Sequence, residues 1–222
     1  MSGGSAIRAQ PGEAIVIFYD YYADIPIETL EAFVRENEMG RLVTVSTEGL
    51  PHIGLYPFLW AGNTIEMHLN RADEQLVDLE AHPRCIFEVD EVLGVIPSYW
   101  VDPEDAVKAT AYHQSVIFEC RASVAQDAAV LAEQQKRLLS RYQPEGGFRP
   151  VAPDDPIYRG AIAHIAAVRL EITSLRAKFK LAQNRSPEVR ADLVRELRKR
   201  GRRNDGRAAD ALQATIDRET RR

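Results

Sequence analysis

The sequence has few cysteines and no long apolar run. Cys85 and Cys120 are its only cysteines; they lie far apart and form no C-x-x-C motif, so we expect two reduced, buried thiols rather than a disulfide or a zinc site. No stretch of 18 apolar residues occurs, and residues 1–12 lack the apolar core of a signal peptide. We therefore predict a soluble, cytoplasmic protein that does not contact a membrane.

The strong catalytic motifs are absent as well. The sequence contains no G-x-S-x-G, no Walker loop, no H-E-x-x-H and no G-x-G-x-x-G. Its five histidines are spaced as isolated residues rather than as ligand pairs, so a histidine metal cluster is not predicted. The possibility left by these exclusions is a protein that binds an organic cofactor.

Charge is unevenly distributed along the 222 residues, whose net charge is −5. Residues 176–222 carry 15 Lys and Arg against 7 Asp and Glu, which leaves 13 against 26 for residues 1–175. A basic end can bind nucleic acid or phosphate, but helix surfaces that only face solvent are also rich in arginine. Both interpretations stay open at this point.

Hydrophobic periodicity predicts a mainly β protein with helices. Helices are predicted at 27–38, 73–81, 127–141, 187–200 and about 208–219. Strands are predicted at 41–46, 52–60, 64–69, 85–95, 115–124 and 166–173, and turn sequences make the first three a meander. This order favours a small antiparallel barrel over residues 1–175, with inserted helices, and a basic segment and helical tail over 176–222 that packs on it.

Residues 176–185 are the most unusual part of the sequence. Four cations, a Gln-Asn pair and one Phe stand between a predicted strand end and the predicted N-cap Ser186, where a helix N-terminus favours an anion. A phosphate or carboxylate suits this basic segment. The alternative is that its cations pair with the acidic barrel of the same or a neighbouring subunit.

Three stretches resemble a known family. Lys178–Ser186 (KFKLAQNRS) is similar to the K-F-K-L-[SG]-Q-N-R stretch of the PaiB-type family of FMN-binding negative transcriptional regulators. Glu48–Leu59 resembles its G-x-P-x-x-x-H-L-P-F stretch, and His68–Asp73 resembles its H-x-A-R-A-N. This sequence departs from the pattern at Leu55 and Tyr56, and at residues 109–113.

The resemblance implies a split antiparallel β-barrel of the pyridoxamine-phosphate-oxidase type, followed by C-terminal helices. It also implies a homodimer with two cofactor sites at the subunit interface and a small-molecule substrate. FMN is the expected cofactor and haem b the alternative, because related split barrels bind FMN, a deazaflavin or haem.

Candidate site residues follow from residue type, position and the resemblance. His68 and His113 are the candidate catalytic residues, and His68 is the metal ligand only if haem is bound. The candidate cofactor-binding residues are His52, His68, Arg71, Tyr99, Trp100, Lys178, Lys180, Gln183 and Arg185. Each has a purely structural alternative, such as a surface arginine or an aromatic ring that packs beneath a loop.

Three functions stay open from the sequence. The favoured one is an FMN-dependent oxidoreductase-type protein in which the flavin performs the chemistry. The second is a haem-dependent enzyme of the piperazate synthase type, which forms an N–N bond. The third is a PaiB-like transcriptional regulator, for which nucleic acid is a less favoured partner; its support is the basic cluster at residues 198–203.

Overall fold

The computed structural model describes residues 19–221, which form an antiparallel sheet flanked by helices. The helices are α1 (Asp20–Ala23), α2 (Ile27–Glu36), α3 (Glu74–Ala81), α4 (Ala128–Tyr142), α5 (Pro156–Ala163), α6 (Pro187–Arg200) and α7 (Asp205–Thr220). The strands are β1 (Met39–Val45), β2 (Pro51–Pro57), β3 (Leu59–Ala61), β4 (Thr64–Asn70), β5 (Arg84–Ile96), β6 (Thr110–Ala125) and β7 (Ile165–Lys180). Within the described residues, no helix combines the length and the apolar character that a membrane crossing needs.

The strands form one sheet in the order β2-β1-β5-β6-β7-β4-β3. β1 pairs antiparallel with β2 and places Val43 opposite Ile53, and β4 pairs antiparallel with β7 and places His68 opposite Ala167. β2 lies at one end of this order but contacts β4, near the other end. Contact between the two ends is the closure that a barrel requires.

The predicted three-strand meander was wrong after its second strand. The predicted strand 52–60 is two strands, because Phe58 leaves the ladder: its side chain is fully buried and its N–H donates to the Tyr142 hydroxyl at 2.9 Å. β2 pairs with β1, whereas β3 pairs with β4 at the opposite end of the order. Turn sequences mark where strands end, but they do not specify which strand each one pairs with.

The extent of other elements also differs from the prediction. β7 continues to Lys180, so residues 176–180 are strand rather than a connection before a helix. α5 was not predicted; Asp155 caps it by accepting from the Ile157 N–H, and Pro156 occupies its first turn. On α4, Leu131 and Leu138 are buried, whereas Val130 is 47% exposed.

The C-terminal helices were predicted correctly. The Ser186 side chain caps α6 by accepting from the Val189 N–H, and α6 ends at Gly201, whose φ of 64° lies in the left-handed region that glycine favours. α6 packs against α7, and Leu197 and Leu212 are fully buried there. The two predicted helices therefore form a helical hairpin.

The described residues group into two compact units. The first contains Glu31–Val89 and Ile117–Leu175; the second contains residues 19–30, Asp90–Val116 and 176–221. β5, β6 and β7 each pass from one unit into the other. The sequence-based division into domains 1–175 and 176–222 stays a prediction.

The two cysteines are buried in the first unit as free thiols, as predicted. Burial raises the pKa of Cys85 to about 12 and raises that of Cys120 as well. A thiolate is the reactive form of cysteine, so neither residue is suited to nucleophilic chemistry at neutral pH.

Candidate functional site

A histidine–aspartate pair joins β2 to α3 in the first unit. His52 Nδ1 lies 2.7 Å from Asp78 Oδ2, and the same carboxylate accepts a 2.6 Å hydrogen bond from the Thr44 hydroxyl. The bond to Asp78, which is 4% exposed, raises the pKa of His52 above its ordinary value, although burial of the ring opposes this. The Nε2 atom lies 3.8 Å from the carboxylate of the exposed Glu74.

Tyr56 extends this network along β2. Its hydroxyl lies 2.8 Å from Asp73 Oδ2 and 2.7 Å from Gln75 Oε1, while the Gln75 amide donates to the His52 carbonyl oxygen. Burial and the bond to Asp73 raise the pKa of Tyr56, so its hydroxyl stays protonated. Gly54 is required here, since a Cβ would lie 2.3 Å from both the Tyr56 hydroxyl and Gln75 Oε1.

We expect Asp78→Asn to lower the pKa of His52, because the largest cause of the raised pKa is removed. A raised folded-state pKa stabilises the fold fully below the unfolded value and loses that effect as the pH rises through the folded value. The variant should therefore lose more stability in mild acid than in alkali. NMR titration of the His52 ring, with urea unfolding at both pH values, measures this. Glu74→Gln is the matched control and should change the pKa little; an unchanged His52 pKa in Asp78→Asn would contradict the assignment.

His68 lies on β4 beneath α4. Its Nδ1 is 3.0 Å from Gln135 Nε2, and the neighbouring Glu66 carboxylate accepts from Arg137 Nε and Nη2 at 2.9 and 2.8 Å. Burial lowers the pKa of His68, so the imidazole is neutral at neutral pH. This face of β4 is thus covered by a helix, and His68 has a partner that fixes its ring.

Arg71 follows β4, and backbone carbonyl groups hold its side chain in place. Its Nε donates to the Ile165 carbonyl oxygen at 2.9 Å and its Nη2 donates to the Gln126 carbonyl oxygen at 3.1 Å. The Arg71 N–H also donates to the His164 carbonyl oxygen at 2.8 Å. These three bonds tie the end of β4 to the segments that precede α4 and β7.

A small cavity in the second unit is lined by cations. It encloses about 220 Å³. Its polar lining comprises Lys108, Lys180, Arg185, Asn184, Thr110, Tyr22 and Tyr112, and we call it the cationic pocket. Lys108 pairs with Asp105 at 2.9 Å, but among residues 19–221 neither Lys180 nor Arg185 forms an ion pair. The pocket therefore presents two cations that form no ion pair with a carboxylate of the described chain.

Arg185 supplies positive potential throughout this pocket. Its charge opposes the increase that burial causes in the pKa values of Tyr22 and Tyr112. It also helps to lower the pKa of Asp105, for which the hydrogen bond from Lys108 is the larger cause. Arg185 directly precedes Ser186, the N-cap of α6, and a helix N-terminus adds to the attraction for an anion.

His113 lies beside the lysines of the basic segment. Burial lowers the pKa of His113, and the positive charges of Lys178 and Lys180 lower it further. The ring is therefore neutral at neutral pH. His113 is therefore close to both lysines, although neither His113 nor Lys178 lines the cationic pocket.

Residues 179–184 alternate between two cavities. Lys180, Ala182 and Asn184 line the cationic pocket, whereas Phe179, Leu181 and Gln183 line a second, larger cavity. The Gln183 side chain holds the turn in place, because its amide donates to the Phe179 carbonyl oxygen and its Oε1 accepts from the Leu181 N–H. Gln183 thus positions the basic residues rather than lining their pocket.

The two aromatic residues on the loop after β5 have different surroundings: Tyr99 faces solvent and Trp100 contacts a cation. Tyr99 is 65% exposed. Trp100 has the Arg200 guanidinium 4.7 Å from its ring centroid, and Arg200 in turn forms two hydrogen bonds with the Asp205 carboxylate. One face of Trp100 is therefore already covered by α6 of the same unit.

The candidate residues from the sequence fall into two groups. His52, His68 and Arg71 belong to the first unit, and the other seven belong to the second. Five residues were not predicted from the sequence: Lys108, Asn184 and Tyr22 in the cationic pocket, and Asp78 and Gln135 as histidine partners. Lys108 could have been found from the sequence, because it is the cation at the end of the loop before β6. The other partners come from segments distant in the sequence.

The fold defines a class of protein. Its antiparallel sheet with flanking helices is the split β-barrel that the resemblance implied. The chain belongs to a flavin-binding family: the model described as "Putative FMN-binding domain" matches residues 18–174. The basic segment 176–185 lies just beyond the matched residues.

Solved structures support the fold. The flavocytochrome Anf3 from Azotobacter vinelandii is 21% identical, with a TM-score of 0.60 over 74% of this chain and 72% of that one. The FAD and heme binding protein from Mycobacterium smegmatis is 15% identical, with a TM-score of 0.58 over 75% and 77% of the two chains. No protein of curated function matches the sequence.

Proposed function

We propose that this protein binds FMN and acts as an oxidoreductase-type flavoprotein. The observation that carries the proposal is the cationic pocket, where Lys180 and Arg185 face a small cavity without a neutralising carboxylate. A phosphate monoester is the anion that suits two or three converging cations and a helix N-terminus. The family match to an FMN-binding domain supports the same cofactor.

The residues of the pocket fit one end of FMN. Lys180, Arg185 and Lys108 would hold the phosphate, and Asn184 and Thr110 supply polar groups for the ribityl hydroxyls. The volume of about 220 Å³ is below the roughly 300–1,000 Å³ of pockets that enclose a whole ligand, so the ring system would extend beyond the pocket. When bound, a flavin supplies hydride and electron transfer. The protein's own part is to bind the phosphate and to orient the flavin.

The absorption spectrum of the purified protein tests this function. We expect the two bands of oxidised flavin in the near-ultraviolet and the blue, and their bleaching on reduction. Protein denatured after purification should release FMN rather than riboflavin. A Soret band without flavin bands would contradict the flavin proposal and favour the haem alternative.

The haem alternative rests on one specific observation, which is the state of His68. A haem ligand must be a neutral imidazole, and burial keeps His68 neutral. The amide nitrogen of Gln135 faces His68 Nδ1, so ligation through Nε2 would require this amide to turn and present its oxygen. Two proteins of similar fold are described as a flavocytochrome and as a FAD and heme binding protein. A haem enzyme of the piperazate synthase type is the second candidate function on this ground.

Replacing His68 by alanine separates the two cofactors. If FMN is the cofactor, we expect the flavin spectrum to persist with at most several-fold weaker binding, since His68 contributes one hydrogen bond of about 1 kcal/mol. If haem is the cofactor, the Soret band should shift or disappear, and added imidazole should partly restore it. Gln135→Ala is the companion variant, since it removes the partner of the ring without removing the ring.

DNA binding by the C-terminal helices stays a prediction. Arg198 lies 3.2 Å from Asp210 and Arg200 is paired with Asp205, so two cations of the basic cluster are already neutralised. Phosphate contacts by the remaining cations would make binding strongly salt-dependent. A mobility shift with arbitrary duplex DNA at low salt tests this function directly.

A second copy of this chain is the partner we propose. The outer face of β1 and β2 exposes apolar side chains, among them Met39, Val45, Ile53 and Leu55, which are 39–66% exposed. A contiguous apolar patch on a sheet face is typical of a protein interface. Light scattering should therefore give twice the mass of one chain, and Ile53→Lys should shift the mass towards that of a single chain. Wild-type protein that is a single chain at micromolar concentration would contradict the dimer.

A further inference from the structure

The second unit contains a cavity that the flavin proposal does not use. It encloses about 490 Å³, within the roughly 300–1,000 Å³ typical of sites for small organic ligands. Phe179, Leu181 and Gln183 line it from one side of the segment whose other side chains line the cationic pocket. The two cavities therefore share one segment of backbone but no lining side chain.

The chemistry of the larger cavity differs from that of the cationic pocket. Most of its wall is apolar and is contributed by Ile25, Phe179, Leu181, Ala211 and Ala214. Desolvation of such a wall favours a ligand with an apolar body. A bare phosphate or a sugar phosphate would leave this wall without a contact.

The end of α7 gives the cavity a positive charge. Arg218 and Arg221 line it, and Asp217 is its one carboxylate among the described residues. The Asp217 carboxylate already accepts from the Gln213 amide at 2.8 Å, and Arg221 Nε donates to the Asp217 carbonyl oxygen. Within residues 19–221, Arg218 forms no ion pair, so its guanidinium is available to a ligand.

We infer that this cavity binds a small organic carboxylate with an apolar body, separately from the flavin. The apolar wall holds the body, and Arg218 binds the carboxylate, for which the planar guanidinium offers two parallel N–H donors. Gln114, which is 9% exposed, places an amide group along the wall for a further hydrogen bond, and Gln183 lines the wall while its own amide holds the turn. The inference does not depend on which cofactor the protein carries.

Octanoate is the probe for this site, and NMR of the Gln114 and Gln183 side-chain amides is the measurement. Both amide resonances should move saturably at millimolar octanoate. 1-Octanol has the same apolar body without the charge and should bind about tenfold more weakly or worse. Arg218→Gln should weaken octanoate binding about tenfold, whereas Arg195→Gln, an exposed arginine on α6, should leave it unchanged.

Filling the cavity provides the second variant. Ala214 is exposed on α7, so Ala214→Trp should fold, occupy the cavity and abolish the octanoate response while FMN binding persists. Unmoved amides in the wild type, equal binding of octanol, an unaffected Arg218→Gln or an octanoate response in Ala214→Trp would each overturn the inference. FMN titration in parallel is independent of all four results, so failure here is distinguishable from failure of the flavin proposal.

Discussion

Replacing Lys180 and Arg185 together by alanine is expected to weaken FMN binding by about a hundredfold or more. Each cation would form a charge-assisted contact with the phosphate worth about 1.5–3 kcal/mol, and 1.4 kcal/mol is a factor of ten in affinity. The two side chains line the same pocket but form no ion pair within the described residues, so their removal leaves no carboxylate unpaired. Fluorescence quenching of FMN by the apoprotein measures the affinity.

The controls for this variant distinguish FMN binding in the cationic pocket from a general effect of positive charge on the protein surface. Arg195→Ala removes a cation from the exposed face of α6 and should bind FMN normally. Lys178→Ala should have a smaller effect than Lys180→Ala, because Lys180 lines the pocket and Lys178 does not. Normal FMN affinity in the double variant, with an unchanged circular dichroism spectrum, would show that the pocket is structural.

Replacing Phe118 by alanine is expected to lower the free energy of unfolding by about 3–5 kcal/mol. Phe118 is fully buried in the first unit, with its ring centroid 5.3 Å from that of Trp60 and 6.5 Å from that of Phe87. Phe58 continues the cluster with an edge contact to Phe87 at 5.0 Å. Truncation leaves a cavity that these rigid rings cannot fill, so the cost exceeds the loss of transfer free energy alone.

Urea unfolding monitored by circular dichroism measures this loss. A domain is stable by only about 5–15 kcal/mol, so the midpoint should fall markedly while the slope stays unchanged. Tyr99→Ala is the matched control, since it removes an aromatic ring that is 65% exposed and should change stability by less than about 0.5 kcal/mol. A loss below about 1 kcal/mol in Phe118→Ala would mean that the aromatic cluster is loosely packed.

Local sequence patterns predicted most elements of the fold, because caps and periodicity are local properties. Ser186, Pro187 and Gly201 predicted both ends of α6, and the alternation of apolar residues predicted β1, β4 and the central part of β6. Strand partners were not predictable in this way, since pairing depends on residues distant in the chain. The break at Phe58 illustrates this, because the Tyr142 hydroxyl that accepts its N–H lies 84 positions away.

The candidate site was predicted unevenly for the same reason. The basic segment was apparent from its charge, and the structure places Lys180 and Arg185 in one pocket. The continuation of β7 through residues 176–180 was not apparent, because an alternating stretch with two lysines is as typical of a loop as of a strand. The partners that set the protonation of His52 and His68, Asp78 and Gln135, required knowledge of which helix covers which strand.

The most direct test of the account is the affinity of the apoprotein for FMN compared with riboflavin. The two ligands share the ring system and the ribityl chain and differ only in the phosphate, which the cationic pocket is proposed to hold. We predict that FMN binds about a hundredfold more tightly than riboflavin, and that this difference disappears in the Lys180→Ala, Arg185→Ala double variant. Equal affinities of the wild-type protein for FMN and riboflavin would contradict the account.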